Sequence, residues 1–391
     1  MKRILLGTTA LVAAGALGTG TAHAKFDVTV NGEIYAAYGV VSQDDGDGEA
    51  GHSRQNQAVN QDDEIHFRAT ETLDNGIQVG ARVQLEAATH NGNGARLSGS
   101  AGHDQIDERH IFFKGGFGEI RVGDEDDARK LKSYTAPDPT GYIFSVNSPY
   151  FTFRDVGPGQ VVSSNSTTAN LENDSAKIIY FTPSFGGFQF AFSYAPDGTQ
   201  DRTAFGTGGT QEQQVSNAIS IGGDYSGEFG GVSVSGGAGY TRANNETNTT
   251  GLGQTPDAAA VRGSSTPYIW DAGINIGFAG FTVGGSITFG DNLTSTGFNG
   301  YSVDKARVYD VGVTYNIDAV TVGLDWSHGD YNDFTDGKED ELDDVALGVR
   351  YALGPGVDLA AFVGWFNYND GGALNNDNTG WQAGVGTGIN F

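Results

Sequence analysis

The sequence contains no cysteine, which excludes disulfide frameworks and thiolate metal centres as sources of its stability. After residue 24 it also lacks any apolar run long enough for a helical membrane span, which needs about 20 residues to cross ~30 Å of hydrocarbon. Hydrophobic residues make up only 38% of the 391. That is too few for the apolar helices or continuous core strands of a soluble domain this long. Basic residues are scarce too: 22 Lys and Arg stand against 48 Asp and Glu, a formal charge of −26. Such a balance argues against nucleic acid as a partner. Disorder is excluded in turn, because aromatics still reach 11%. What remains is a β protein whose apolar residues are spent on one face.

The N-terminus reads as a secretory signal. Met1-Lys2-Arg3 precedes an apolar run from Ile4 to Leu17 and the small-x-small site Thr21-Ala22-His23-Ala24. Cleavage is expected after Ala24, leaving a chain of 25–391 with a charge of −28, since residues 1–24 hold two cations and no acid.

Strict alternation dominates the rest. Phe26, Val28, Val30, Ile34, Ala36 and Tyr38 share one face, while Asp27, Thr29, Asn31 and Glu33 share the other. Ile77, Val79, Ala81, Val83 and Leu85 oppose Gln78, Arg82, Gln84 and Glu86. The pattern returns in Phe188–Tyr194, Tyr268–Phe278, Phe281–Phe289, Tyr309–Tyr315, Val320–Trp326, Val345–Tyr351 and Trp381–Phe391. Sixteen such segments can be counted, with 215–242 the weakest. Short turns such as Asp74–Gly76, Gly115–Gly118 and Gly354–Gly356 alternate with long polar connections, among them 41–62, 124–174, 243–266 and 330–342. An even count, segments near ten residues and alternating turn lengths are features of an outer-membrane barrel. Aromatics near segment ends (Tyr38, Tyr194, Trp270, Phe278, Trp326, Phe391) fit two interfacial girdles. The expected fold is therefore an all-β transmembrane antiparallel barrel of about sixteen strands, with the long segment 124–174 folded into its lumen.

The chain resembles the trimeric general-diffusion porins of Gram-negative outer membranes. Four stretches carry the likeness: Phe26–Tyr35 is similar to the family's first strand, and Ile65–Gly76 to its second strand and turn. Glu108–Gly123, with Phe-Gly-Glu-Ile-Arg-Val-Gly at 117–123, is similar to the hairpin before the constriction loop, and Ser175–Tyr194 to the strand pair after it. Phe391 matches the family's terminal aromatic. The resemblance implies a homotrimer in the outer membrane, contacts with lipid and lipopolysaccharide, recognition of Phe391 by the barrel-insertion machinery, and a third long loop inside the pore. Two departures stand out. No Pro-Glu-Phe-Gly-Gly string occurs in 124–174, and Glu64 stands where some relatives carry a basic wall residue.

A passive channel needs no catalysis and no cofactor; its chemistry is electrostatic sorting at a narrow point. Arg68, Arg82, Arg109 and Arg121 lie on successive strands spaced about 4.8 Å apart, and are expected to form a basic patch on one wall. Asp124, Glu125, Asp126 and Asp127 open the long loop, with Asp138 and Asp155 further on. Opposed rows of charge across water would set a transverse field that filters ions. Acids in wide external loops, Asp44–Glu49 and Lys338–Asp344, lie beyond the ~8 Å Debye length at physiological salt. The expectation is weak cation preference. A simpler role for Arg109 is to anchor the loop by a salt bridge.

Two other functions compete. A sugar- or anion-specific channel would use an aromatic or basic track, and Tyr142, Phe144, Tyr150, Phe151 and Phe153 offer one, although these rings serve equally to pack the loop on the wall. A barrel enzyme would recruit His66, His110 or His328, but nothing in the sequence pairs them with a nucleophile in a convergent site. The histidines lack metal-ligand spacing, and Asp44–Glu49 lacks the full twelve-residue calcium pattern.

Overall fold

A computed structural model describes residues 26–44, 56–86, 106–141, 143–147, 149, 151–154, 164–172, 174–198, 215–245, 266–293, 303–333, 337–372 and 377–391. The signal segment, Asp45–Glu49, Tyr142, Tyr150 and Asp155 lie outside them. Sixteen strands run through these residues. They are β1 (Asp27–Gln43), β2 (Gln57–Thr72), β3 (Gln78–Glu86), β4 (Ile106–Gly115), β5 (Gly118–Asp124), β6 (Ala176–Phe181), β7 (Phe188–Asp197) and β8 (Val215–Phe229). The second half holds β9 (Val232–Asn245), β10 (Tyr268–Phe278), β11 (Phe281–Asp291), β12 (Val303–Ile317), β13 (Val320–Asp333), β14 (Glu339–Gly354), β15 (Val357–Asn369) and β16 (Asn378–Asn390).

Each strand pairs antiparallel with its sequence neighbours, and β1 closes the barrel on β16 from Glu33↔Asn390 to Gln43↔Gly380. The terminal residue takes part: Phe391 N donates to Gly32 O, and Gly32 N to Phe391 O, both at 3.0 Å. Closure leaves no sheet edge, which is what a β protein in hydrocarbon requires.

The alternation decides which side is which. Ile274, Val283, Val311, Leu324, Leu347 and Val363 all point outward and are exposed, Leu347 to 56%. Tyr38, Tyr194, Trp270 and Trp326 ring the long-loop end, and Phe278, Phe281, Tyr351 and Phe391 the short-turn end. The same apolar residues do not gather in a dry centre. The weak region 215–242 forms β8 and β9 in full, although glycines at 222, 223, 227, 230, 231, 236, 237 and 239 dilute its pattern.

Three expectations need correction. The stretch Lys338–Asp344 is not a wide external loop: from Glu339 onward it is strand β14, whose Asp340, Leu342 and Asp344 turn inward and are buried. Likewise, β1 and β2 extend to Gln43 and from Gln57, shortening the expected connection 41–62. Nor are apolar residues confined to the outer face. Ile269, Val308, Tyr331 and Leu342 face inward near the long-loop end and pack with Ala169 and Leu171 of the long loop. Ala37, Val41, Ala346, Ala360, Phe362 and Phe366 form a second inner cluster with Ile143, Phe144, Val146, Phe151 and Phe153. The inner wall is apolar where the loop covers it, because burying that loop removes both surfaces from water.

Candidate functional site

The loop after β5 runs along the inner wall rather than out into solvent. Ala128 N donates to Ser193 Oγ on β7 at 3.0 Å, and Arg129 N to Ser220 Oγ on β8 at 2.9 Å. Further on, Asn275 of β10 reaches Thr135 O (3.0 Å), and Ala136 N donates to Asp310 of β12 (3.0 Å). Phe144 stacks on Phe362 of β15 with centroids 4.3 Å apart, and Phe153 N donates to Gln382 of β16 (3.0 Å). The loop returns through Asn165, which donates to Ser327 Oγ (2.8 Å), and Thr167, whose carbonyl accepts from Thr288. It therefore lines the wall from β7 round to β16. Phe144, Phe151 and Phe153 pack it down, the role expected of them as an alternative to a solute track.

The glycines of this wall are a condition of that course. At Gly237 and Gly273 a Cβ would strike the carbonyl oxygens of Lys132 and Tyr134. Only glycine lets loop and strand backbones approach so closely.

Charges fasten the loop. Arg129 is fully buried; it bonds to Asp271 of β10, donates to Ala169 O and lies 3.8 Å from Asp127. Lys132 reaches Asp224 of β8 at 2.8 Å, and Arg154 bonds to Asp344 of β14. Three loop cations thus meet three acids that stand inward on successive regions of the barrel. Asp310 makes a fourth clamp, accepting from Ser286 N, Ser286 Oγ and Asn147 Nδ2 as well as Ala136 N. The sequence did carry a signal for three of these residues: single acids in mid-strand, on the polar face, at Asp224, Asp271 and Asp310.

The four acids at the loop root are consumed locally and do not confront the arginines across a gap. Asp124 takes Arg109 Nε at 2.7 Å. Glu125 pairs with Arg121 (2.7 Å) and His110 (3.2 Å), and its carbonyl accepts from Lys177. Asp126 pairs with Lys130 at 2.7 Å. Burial acts to raise its pKa, but Lys130 and the Asn170 amide hold it below the usual carboxylate value. Asp127 accepts from Thr241 Oγ1 (2.6 Å) and Lys130 N (2.7 Å). On the return leg, burial pushes Glu172 up to about 7, and burial with the Asp126 charge pushes Asp174 up to about 8. Asp138 closes a local turn by accepting from Thr140 N and Oγ1.

Of the expected basic patch, Arg68, Arg82 and Arg121 face the lumen and Arg109 does not. Register sets Arg68 opposite Arg82 and Arg82 opposite His110. Arg68 sits 5.0 Å over the Phe112 ring, while Arg82 pairs with Glu108 at 3.2 Å. Arg121 is taken up by Glu119 (2.7 Å) and Glu125. Arg109 falls opposite Val83 and Asp124, on the parity of the exposed Ile111 and Phe113. A register shift between β3 and β4 lies just beyond this point, and Arg109 keeps the alternation of its own strand.

Above the arginines stands an acidic tier. Glu33 faces Glu64, and Glu64 faces Glu86, four residues (~13 Å) nearer the long-loop end. Carboxyl oxygens of Glu64, Glu86 and Asp107 lie within 4.8 Å of one another. His66 binds Glu64 at 2.9 Å, whereas His328 lies on the outer face between Asp330 and Asp343, both at 2.9 Å.

A family model described as Gram-negative porin matches residues 7–371. Outer membrane porin protein 32 of Delftia acidovorans is 30% identical over 204 residues, covering 51% of each chain, so the match spans about half the length of that relative. Two solved structures share the fold over nearly the whole chain. The outer membrane channel DcaP of Acinetobacter baumannii covers 94% of this chain and 97% of its own, with 12% identity and a TM-score of 0.60. An anion-selective porin from Comamonas acidovorans covers 94% and 100%, with 16% identity and a TM-score of 0.58. With its closed sixteen-strand barrel, its apolar outer face and its inward loop, the chain belongs to the Gram-negative porin family of the outer membrane.

Proposed function

We propose that the protein is a water-filled channel for passive diffusion of small hydrophilic solutes and ions, with weak cation preference. The observation that carries this reading is the barrel's inversion: apolar residues meet lipid, and Arg68, Arg82, Glu33, Glu64 and Glu86 face the interior. The loop segment 124–174 narrows that interior into the constriction. Its root acids are neutralised at short range, so selectivity falls to the two-tier wall of β1–β3. Carboxylates at the mouth concentrate cations, and the arginine pair deeper in offsets part of that field. This arrangement has no need of catalysis or a cofactor.

Residues 1–24 serve as the export signal, and the working unit is a homotrimer. The outward ion pair Arg109–Asp124 supports the latter, because charge on an outer wall is costly against lipid and tolerable against a neighbouring barrel. Phe391, fixed to Gly32 at the barrel seam, is where the insertion machinery would read the chain.

The facing pair Arg68 and Arg82 favours one alternative, an anion-specific channel. Single-channel recording in a planar bilayer under a salt gradient separates the two. Stepwise conductance in units of three with a small cation-signed reversal potential is expected. An anion-signed potential would overturn the selectivity, and absence of conductance would overturn the channel itself.

A further inference from the structure

Most cations that face inward are already bonded. Among the described residues, two of them bond neither a carboxylate nor a carbonyl: Arg68, stacked over Phe112, and Arg350 of β14. Arg350 shares the inward parity of Asp344, Ala346 and Gly348 and is half-buried, so the uncovered part of its side chain opens into the lumen.

The course of the loop accounts for its isolation. The loop crosses β12 where Pro137 O would meet a Cβ on Gly312, and β14 where Pro139 and Thr140 would meet one on Gly348. Arg350 is the next inward residue of β14, two places or about 7 Å nearer the short-turn end. It therefore emerges from under the loop's edge. Gly141 makes room for it: a Cβ there, at a backbone φ of +69°, would lie 2.7 Å from Arg350 Nη1. Register puts small uncharged side chains on both sides, Thr321 on β13 and Ala360 on β15. Two acids stand nearby. Asp358 of β15 lies one inward place away, opposite Ala352, and Asp138 Oδ1 accepts twice from Thr140. Neither is bonded to Arg350.

Depth links this residue to the arginines of β2 and β3. Arg68 stands four residues from Thr72, the short-turn end of its strand, and Arg82 four from Gln78. Arg350 stands four from Gly354. All three thus lie at one level, about 13 Å along the strand from the short-turn rim. Between Arg350 and Arg68 run β15, β16 and β1, so the two are four strand steps of sixteen apart around the wall.

We propose that Arg350 is a specificity-determining residue of the channel, which small carboxylate- or phosphate-bearing solutes meet at the same depth as Arg68 and Arg82. The inference rests on the channel reading. It places a cation on β14, off the β2–β5 wall where the basic patch is expected. A passing anion then meets positive charge from two sides of the lumen rather than one. No acid cancels Arg350 at contact distance, so its charge carries into the water of the pore.

The test is the reversal potential of single channels in a potassium chloride gradient, which gives the ratio of cation to anion permeability. A unit charge about 6 Å from the path, screened over a Debye length of ~8 Å, shifts cations and anions in opposite directions; Arg350→Gln should raise the ratio about threefold. Arg350→Lys should keep the wild-type ratio. The chain has no cysteine, so Arg350→Cys offers a single thiol for modification after the barrel has folded. Attaching an aminoethyl group through a methanethiosulfonate reagent should bring the ratio back toward wild type, and attaching a sulfonatoethyl group should raise it further. A ratio unmoved in Arg350→Gln, a shift that the attached ammonium does not reverse, or a thiol that neither reagent reaches would each overturn the proposal. A conducting wild type whose selectivity ignores the charge at position 350 overturns this inference alone, whereas a wild type without conductance overturns the channel reading and this inference with it.

Discussion

Removing Arg129 tests how the loop is held. Its guanidinium is fully buried, bonds Asp271 on the wall and Ala169 O on the loop's return leg, and faces Asp127. Arg129→Ala leaves the Asp271 carboxylate buried without its cation and cuts the tie between outgoing and returning legs. Breaking a buried pair from one side costs about 3–5 kcal/mol. At ~1.4 kcal/mol per decade, amide protection in the loop should fall between about a hundredfold and a few thousandfold. The assay is hydrogen exchange by mass spectrometry, comparing peptides spanning 125–141 and 164–172 with peptides from β10 and β15. Loop protection should collapse while strand protection stays, because the ladder does not depend on Arg129. Arg129→Met with Asp271→Leu should restore much of the loss, since an apolar pair of similar volume is often neutral or better than a buried ion pair. Unchanged loop protection in Arg129→Ala, or an equal loss throughout the barrel, would refute the reasoning.

Other expectations follow from the same geometry. Arg82→Ala should shift the reversal potential toward stronger cation preference, whereas Arg109→Ala should leave it unmoved because Arg109 lies on the outer face. Gly237→Ala forces a Cβ into Lys132 O, and a cost of about 1–3 kcal/mol from overpacking should appear as faster exchange in 128–136 with an intact barrel. Glu172 and Asp174 have folded-state pKa values raised to about 7 and about 8, so the folded loop binds more protons than the unfolded one between about pH 4 and 8. Loop stability is therefore greatest at acid pH and declines as pH rises through that window. Glu172→Gln should flatten the dependence in exchange measured at pH 5, 6.5 and 8.

Much of the barrel was legible because a strand's period of two is written residue by residue. Ile77–Leu85 and Phe281–Phe289 announce their faces without reference to anything distant, and the strands fall there. The same local logic failed at Lys338–Asp344, where acids read as loop but stand inward in β14, one of them paired with Arg154 from far along the chain. Arg109 departs for a different reason: its charge suggests the lumen, but the alternation of its own strand puts it with the outward Ile111 and Phe113. The site was half legible. Arg68 and Arg82 appear as a facing pair on the polar parity, yet the loop acids turned out to be bonded at their own root.

By itself the sequence determined the sixteen strands, their greasy and wet faces, and the presence of one long inward segment. Those properties depend on neighbours two residues away or on a connection's length. Only the tertiary structure decided which charges are free. That depends on which cation meets which acid across more than a hundred residues, as Arg129 meets Asp271, and on where glycines let two backbones touch. A charge already paired in a dry niche contributes little to a field in the lumen, and no pattern along the chain records the pairing.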